Sequence, residues 1–349
     1  MTHAAYDRYE RQIALPEIGL AGQKKLHAAH IAVIGAGGLG AAALPYLAGA
    51  GIGNITVYDH DTVSPHNLHR QTIYQDAQTG QNKAEAAAKY LTALNPDIKV
   101  TAITKHFDET TNLPDNLDLI LDSSDNFATK SLLNEASLRH HVPLISASVQ
   151  GFKGQTGIFA GYYENVPCYH CLFPELPENA CNCNDAGILG TSAGLTGLYQ
   201  AHLALGYILG FKNMRAGCIL SFDFKALRMQ RLELRKNPAC PVCKDIDHHE
   251  EQPLNESPMP KIMRLEDLQG RDFIVVDVRT QDEINSDPLY TKDNIIYMEL
   301  GAVRRRFNEL PKDKLLAFLC AGNVRSAQAA SWMKSMGYDQ VCILDRYSL

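Results

Sequence analysis

The stretch Ile31-Ala-Val-Ile-Gly35-Ala-Gly37-Gly38-Leu-Gly40 sets the fold, because a hydrophobic strand here ends in a glycine-rich turn that opens a helix. The first glycines permit a tight turn and let backbone N–H groups approach a phosphate, and the last lets the helix pack closely on the strand. Asp59 ends the next strand, where a carboxylate would meet ribose hydroxyls. The pattern predicts a bound nucleotide, and by itself it favours a nicotinamide dinucleotide.

Apolar strands alternate with helical patterns, which is typical of a doubly wound, Rossmann-like α/β sheet. We predict strands at 31–34, 54–59, 98–103, 117–122 and 143–148, and helices at 38–50, 82–94 and 126–139. Shorter strands at 154–162, 216–223 and 226–234, around an apolar helix near 191–209, extend this sheet.

A polar, proline-containing segment at 244–260 has little to bury and is predicted to be a linker. Beyond it, strands at 272–279, 315–320 and 341–344, with helices near 280–285 and 326–336, predict a small α/β domain. The predicted domains are therefore 1–243 and 261–349.

The composition is that of an ordinary globular protein, with 349 residues, 45% hydrophobic and 21% charged, and a net charge of −6. An acidic balance without a basic tract argues against nucleic acid as a partner. The first eleven residues contain no apolar signal core, so we expect a cytoplasmic protein with no membrane association and reduced thiols.

Two Cys-x-x-Cys pairs, Cys168/Cys171 and Cys240/Cys243, are separated by a long insertion. Four thiolates with no open position make a closed, structural Zn²⁺ site, which would cross-link the end of the first domain to the loop at 168. The alternative is two unrelated pairs of free or redox cysteines. His170, between two of these ligands, is expected to be solvated.

Polar residues follow the strand ends, at the edge of the sheet where ligands bind. A hydride-transfer enzyme has little need for two cations and an acid beside its phosphates, whereas cleavage of a triphosphate needs positive charge and a metal ligand. Arg70 and Lys83 would supply the charge, and Asp125 would hold Mg²⁺. Taken singly, they could be a surface charge, a first-turn helix residue and a helix N-cap.

Residues 5–245 resemble the ThiF/MoeB/HesA family, bacterial relatives of ubiquitin-activating enzymes. The matching elements occur in the family's order: Arg8-Tyr-Glu-Arg11-Gln-Ile, the glycine-rich stretch, Asp59-His-Asp61, Asn67-Leu-His-Arg70-Gln71, Lys83, Asp122-Ser-Ser-Asp125-Asn126 and both cysteine pairs. The resemblance implies that ATP and Mg²⁺ are bound and that the C-terminal Gly-Gly carboxylate of a ubiquitin-like sulfur carrier attacks the α-phosphate, giving an acyl-adenylate and pyrophosphate.

The resemblance also implies residue roles. Gly38 and its neighbours would meet phosphate, Asp59 the ribose, and Asn67, Arg70 and Lys83 the triphosphate. The other implied nucleotide-binding positions are Gly35, Gly37, Gly40, Asp61, Gln71, Asp125 and Asn126. Arg11 would reach across a homodimer into the partner's site.

Two further cysteines are candidates for sulfur chemistry. Cys183, four residues before Gly187, occupies the position at which the family often carries a reactive cysteine that joins the carrier through an acyl persulfide. The neighbouring Cys181 could replace it or pair with it, and a purely structural role is the alternative.

Cys320-Ala-Gly-Asn-Val-Arg325 follows a buried strand and leads into a helix, so loop amides, the helix N-terminus and Arg325 would favour a thiolate or persulfide. Residues 261–349 resemble a rhodanese domain, with Asp277-Val-Arg279 as its first-strand signature. The four residues inside the loop suit a sulfane sulfur, whereas related phosphatases use five. The usual Gly-His-Ile-x-Gly-Ala stretch is replaced by Tyr290-Thr-Lys-Asp-Asn-Ile-Ile, and the usual Gly-Gly-x-x-x-Trp ending is absent, so sulfurtransferase activity could be weakened or lost.

These features together predict an adenylyltransferase for a sulfur carrier, fused to a domain that receives sulfur from a persulfide donor such as a cysteine desulfurase. Ile145-Ser-Ala-Ser148-Val-Gln-Gly151-Phe and the placement of Cys183 look more like the thiamine branch, with a ThiS-like carrier. The alternatives are a MoaD-like carrier of molybdopterin synthesis, a nicotinamide oxidoreductase, and a scaffold without catalysis.

Overall fold

The computed structural model describes residues 7–174, 187–246, 260–288 and 294–346. The chain forms two compact units, one of Lys25–Glu256 and the other of Met1–Lys24 together with Ser257–Leu349. The division after Glu256 falls within the segment we predict to be a linker. By its contacts the N-terminal segment groups with the second unit, and the domain bounds given from the sequence stay a prediction.

The larger unit is an eight-stranded sheet with helices between its parallel strands. Its strands are β1 (His30–Ile34), β2 (Asn54–Tyr58), β3 (Lys99–Ile103), β4 (Leu119–Asp122), β5 (Leu144–Gln150), β6 (Lys153–Phe159), β7 (Cys218–Asp223) and β8 (Arg228–Glu233). Helix α1 (Glu10–Ile13) lies before the first residue of this unit, Lys25, and α2 (Gly19–Ala28) spans it. The other helices are α3 (Gly38–Gly49), α4 (Lys83–Leu94), α5 (Phe127–His140), α6 (Tyr169–Leu172) and α7 (Gly190–Leu209).

The strand order is β3-β2-β1-β4-β5-β6-β7-β8, with β1 to β5 parallel and the remaining pairs antiparallel. The central strands are apolar runs because helices cover both of their faces, and β4 is buried at every residue. This confirms the predicted doubly wound α/β class. Most strand ends differ from the predicted ends by one or two residues.

Helix α7 packs closely on α3, the helix that follows the glycine-rich turn. A Cβ at Gly197 of α7 would lie 2.3 Å from the carbonyl oxygen of Leu39, so only glycine allows this approach. The long apolar helix therefore fixes the start of α3 from one side.

The smaller unit contains a five-stranded parallel sheet in the order β11-β10-β12-β13-β9. Its elements are β9 (Ile262–Met263), β10 (Phe273–Asp277), α8 (Gln281–Ser286), β11 (Ile295–Tyr297), α9 (Leu300–Arg306), β12 (Leu315–Leu319), α10 (Val324–Ser335) and β13 (Val341–Leu344). The two strands of two and three residues escaped prediction because they are too short to show a hydrophobic period.

The N-terminal segment buries apolar side chains within this smaller unit. Tyr9, Ile13 and Leu20 form a cluster against which Trp332 and Met336 pack. In the part of the chain that the structure describes, no helix is long and apolar enough to cross a membrane.

Candidate active site

A cleft of about 940 Å³ opens at the carboxyl ends of β1, β2 and β4, where ligands bind in α/β sheets. Every nucleotide-binding residue predicted from the sequence lines it, apart from Gly40: Gly35, Gly37, Gly38, Asp59, Asp61, Asn67, Arg70, Gln71, Lys83, Asp125 and Asn126. The fold therefore brings together residues from five separate segments of the chain.

The glycine-rich turn is sterically restricted at two points. Gly35 has a φ of +97°, and a Cβ there would lie 2.7 Å from the carbonyl oxygen of Ser123. A Cβ at Gly40 would lie only 2.0 Å from the carbonyl oxygen of Gly35. Gly40 is thus a packing position that shapes the turn from behind, and its predicted contact with the nucleotide stays a prediction.

Asp59 is anchored at the end of β2 by backbone donors. Its carboxylate accepts hydrogen bonds from the N–H groups of Ala36 at 2.7 Å and Asp61 at 2.9 Å. Burial raises the pKa of Asp59, and these two hydrogen bonds and Lys83 oppose that rise. The carboxylate is held beside the glycine-rich turn, as a ribose contact requires.

Two cations of the cleft are positioned by neighbouring side chains. Lys83 begins α4 and is buried, and its Nζ lies 3.0 Å from Oδ2 of the exposed Asp61. Arg70 donates from Nη2 to Oδ1 of Asn67 at 2.8 Å. Gln71 is buried in the same cleft, and its Oε1 has no hydrogen-bond partner among the described residues. An amide oxygen only accepts hydrogen bonds, so this open atom suits a hydroxyl or amino donor of a ligand, while the two cations suit its anionic part.

Asp125 follows β4 and is exposed in the cleft. The N-cap of α5 is Asn126, whose Oδ1 accepts a hydrogen bond from the Thr129 N–H at 2.8 Å. Capping therefore does not explain the Asp125 carboxylate, which is left available for a metal ion.

Lys130 of α5 is a cleft residue that sequence reasoning missed. Its Nζ lies 2.8 Å from Oδ2 of Asp122 and donates to the Ala147 carbonyl at 2.8 Å, and both charged side chains are buried. A signal was present, since Lys130 falls on the same helical face as Leu133 and Ser137, which are buried. A lysine on a buried face requires a partner.

Gln200 of α7 was also missed and fixes the backbone of the same loop. Its Nε2 donates to the Asp122 carbonyl at 2.8 Å and to the Ile145 carbonyl at 3.0 Å, and its Oε1 accepts from the Ser123 hydroxyl at 2.9 Å. The loop that ends in Asp125 is thereby tied to two strands and a helix. Lys105 and the ring pair His60–His106 add basic groups at the cleft wall.

The four predicted metal ligands converge in the larger unit. All four cysteines are buried, and their Sγ atoms lie 3.8 Å apart for Cys168–Cys171, 3.7 Å for Cys168–Cys240 and 3.7 Å for Cys171–Cys243. A tetrahedral zinc ion with Zn–S bonds of about 2.3 Å separates its sulfurs by about 3.8 Å. The spacing therefore fits zinc. His170 is buried with its Nδ1 at 3.4 Å from Asn134 Nδ2, so the expectation that it is solvated is wrong.

Cys320 lies at the end of β12 in the smaller unit and is buried. Its Sγ accepts a hydrogen bond from the Ser326 N–H at 3.3 Å, as expected of a thiol at a helix start. Asn323 has a φ of +60°, a conformation that Asn tolerates better than most residues. Arg325 pairs with Glu283, a partner that the sequence analysis did not identify.

The remaining predicted site residues are not among those that line the cleft. Arg11 is exposed on α1, which belongs to the smaller unit, and its role across a dimer stays a prediction. Cys183 and Cys181 lie outside the described residues.

Comparison with known proteins identifies the family of this chain. Residues 9–242 match the model of the ThiF family. The chain is 38% identical over 251 residues to the sulfur carrier protein adenylyltransferase of Thermus thermophilus, covering 70% of this chain and 93% of that protein. It is 39% identical over 238 residues to the molybdopterin-synthase adenylyltransferase of Escherichia coli, covering 68% and 95%.

The adenylyltransferase and sulfurtransferase MOCS3 of Anopheles gambiae is 42% identical over 245 residues, which cover 68% of this chain and 55% of that protein. The aligned part thus spans about half the length of this relative. Among solved structures, Escherichia coli MccB with ATP shares the fold, with a TM-score of 0.58 and 21% identity over 68% of this chain and 75% of that one. By the match over most of its length and by its relatives, this chain belongs to the ThiF family.

Proposed function

We propose that this chain transfers AMP from ATP to the C-terminal glycine of a ubiquitin-like sulfur carrier protein. The observation that carries the proposal is the convergence of Asp59, Arg70, Lys83 and Asp125 in one cleft behind a glycine-rich turn. The family match and the names of the adenylyltransferase relatives support it.

In this proposal, ATP lies across the turn, with its phosphates at the N-terminus of α3 and its ribose hydroxyls on Asp59. Asn67, Arg70, Gln71 and Lys83 contact the triphosphate. Asp125 would hold Mg²⁺, with Asp61 and Asn126 beside it, and the ion would neutralise phosphate charge when bound. The solved MccB complex with ATP supports a nucleotide in this fold.

The reaction follows from this placement. A carboxylate oxygen of the carrier attacks the α-phosphorus, the bond between that phosphorus and the bridging oxygen breaks, and pyrophosphate leaves. Arg70 and Lys83 offset the charge that develops on the departing phosphates, and the fixed cleft supplies the in-line orientation. The resulting acyl-adenylate turns a poor electrophile into a reactive one.

Sulfur transfer is the second part of the proposal. Cys320 of the rhodanese-like domain would take the outer sulfur of a donor persulfide, such as that of a cysteine desulfurase, and release the donor thiolate. The terminal sulfur of the Cys320 persulfide then attacks the acyl carbon and displaces AMP. A second thiol, for which the sequence offers Cys183, attacks Cys320 Sγ of the acyl disulfide and frees the carrier thiocarboxylate. This attack leaves a disulfide between the second thiol and Cys320, which a thiol reductant of the cell would reduce before the next turnover.

Two structural elements complete the proposal. Zn²⁺ bound by Cys168, Cys171, Cys240 and Cys243 would cross-link the strand-end loop to the C-terminal segment of the larger unit. A homodimer would place Arg11 of each chain in the site of the other. The carrier is ThiS-like or MoaD-like, and the experiment below tests one purified carrier of each kind.

The experiment incubates the full chain with ATP, Mg²⁺ and each purified carrier, and measures ATP–pyrophosphate exchange and the mass of the carrier. We expect exchange with one or both carriers, its loss in Arg70→Ala and Lys83→Ala, and full exchange without thiocarboxylate in Cys320→Ala. NAD-dependent hydride transfer without exchange would support an oxidoreductase instead. Carrier binding without an adenylate would support a scaffold.

A further inference from the structure

The Cys320 loop is clamped at both ends by arginines that pair with carboxylates of α8 and its C-cap. At the loop's end, Arg325 donates from Nη1 to Oε2 of Glu283 at 2.7 Å and from Nη2 to Oε1 at 2.5 Å. At its start, Arg346 donates from Nη1 to the Ala321 carbonyl at 3.0 Å, and its Nη2 pairs with Asp287. Glu283 and Asp287 are four residues apart, so one helical face serves both clamps.

This helical face is itself fixed to the sheet. The carbonyl of Asp287 accepts a hydrogen bond from Nη1 of Arg279 at 2.9 Å. The guanidinium of Arg279 is buried against Asp277, the last residue of β10, with Nη2 at 2.7 Å from Oδ2. Thr280 and Glu283 form a capping box that holds the start of α8. The clamps therefore transmit the position of β10 to the loop.

Each clamped residue is adjacent in sequence to one of the two hydrogen-bonded residues, Cys320 and Ser326. Ala321 follows Cys320, and Arg325 precedes Ser326, whose N–H donates to Cys320 Sγ at 3.3 Å. A hydrogen bond to a thiolate favours the charged form, but only while the donor stays in range. We propose that Arg346 is a positioning residue for Cys320: by holding the Ala321 carbonyl from Asp287, it keeps Sγ within hydrogen-bond range of the Ser326 N–H.

The proposed effect of Arg346 on Cys320 comes from holding the loop in place more than from the charge of its guanidinium. The charged groups described around the loop form three matched pairs: Asp277–Arg279, Glu283–Arg325 and Asp287–Arg346. Since Arg346 has its own carboxylate in Asp287, that carboxylate opposes the charge of Arg346 at Sγ.

The test measures how the reaction of Cys320 with iodoacetamide depends on pH in the full chain, reading the Cys320 peptide by mass spectrometry. The midpoint of the profile is compared, because the absolute rate also reflects access. In Arg346→Ala we expect the midpoint to rise by about 0.5–1 pH unit, since a hydrogen bond to the thiolate is weakened. Arg264→Ala, at an exposed pair of the same unit, should not shift the midpoint.

Should Arg346→Ala not fold, Asp287→Asn provides a second variant, and its midpoint should rise in the same direction. A midpoint in Arg346→Ala equal to that of the natural chain would overturn the proposal, even if the melting temperature falls. A lower midpoint in Asp287→Asn would also overturn it, in favour of a charge effect, because Arg346 would then lack its opposing carboxylate. The inference rests on the proposed role of Cys320, yet alkylation needs no sulfur transfer, so the two fail separately.

Discussion

Lys130 and Asp122 form a buried ion pair with 2.8 Å between Nζ and Oδ2, directly beneath the loop that carries Asp125. Oδ1 of Asp122 also accepts from the Ser124 N–H at 3.0 Å, and Oδ2 accepts from the Ser146 hydroxyl at 2.6 Å. The pair therefore joins α5, β4 and β5 at the floor of the cleft. The ion pair therefore stabilises the fold and also holds the loop that carries Asp125, the proposed metal ligand.

Replacing Lys130 should destabilise the larger unit strongly. Lys130→Met leaves the Asp122 charge buried without its partner, so we expect a loss of about 3–5 kcal/mol in the free energy of unfolding. Urea unfolding followed by circular dichroism measures it. Asp122→Asn with Lys130→Met should recover part of the loss, and Lys89→Met, at an exposed helix position, should cost less than about 0.5 kcal/mol. Equal losses in the single and double variants would contradict an ionic role.

A methyl group at Gly40 should damage the glycine-rich turn. Because the new Cβ would meet the Gly35 carbonyl oxygen at 2.0 Å, the turn must shift, at a cost of about 1–3 kcal/mol in unfolding free energy. Exchange of pyrophosphate into ATP should fall as well. Gly49→Ala in the same helix has open space and should be neutral or stabilising by up to about 1 kcal/mol. A stable and active Gly40→Ala chain would show that the turn is not set by this contact.

Removing the Asp125 carboxylate should abolish catalysis without affecting folding. We expect Asp125→Ala to lower ATP–pyrophosphate exchange by about 100-fold or more, because a ligand that organises charge at the phosphates is lost. Its unfolding free energy should change by less than about 0.5 kcal/mol, since the residue is exposed. Asp115→Ala, at an exposed position outside the cleft, is the matched control. Exchange retained in Asp125→Ala excludes the metal role.

The purified chain should contain about one zinc ion per chain, measured by elemental analysis. Cys240→Ser should lose zinc and unfold at lower temperature, because three thiolates bind less tightly than four. Cys218→Ala removes a buried thiol that lies outside the cluster and should keep the metal. Zinc content near zero in the natural chain would instead favour two unrelated cysteine pairs.

Acid should weaken the smaller unit through Glu283. The hydrogen bonds from Arg325 and Thr280 lower the pKa of Glu283 from 4.5 to about 2. A carboxyl whose pKa is lower in the folded chain stabilises it above the unfolded value, so this contribution is present above pH 4.5 and is lost as the pH falls to about 2. Trp332, the single tryptophan, reports unfolding of this unit. Glu283→Gln should lack this acid-dependent component, whereas Glu266→Gln should keep it; identical pH curves for all three chains would contradict the assignment.

The sequence by itself determined the doubly wound class and predicted that four cysteines lie together. Glycine spacing, apolar runs and Cys-x-x-Cys pairs are local patterns, and local patterns report backbone geometry and metal chemistry directly. Asp59, Arg70, Lys83 and Asp125 could be proposed together because the carboxyl ends of parallel strands share one edge.

Only the tertiary structure decided which side chains are buried and what each one contacts. The structure identified the Gly35 carbonyl as the atom that Gly40 packs against, and it brought Lys130 and Gln200 into the site through partners on distant segments. The clamp of Arg346 on Ala321 likewise joins residues from two strand ends. Such contacts depend on how elements pack, and no sequence period encodes the distance between two side chains that the fold brings together.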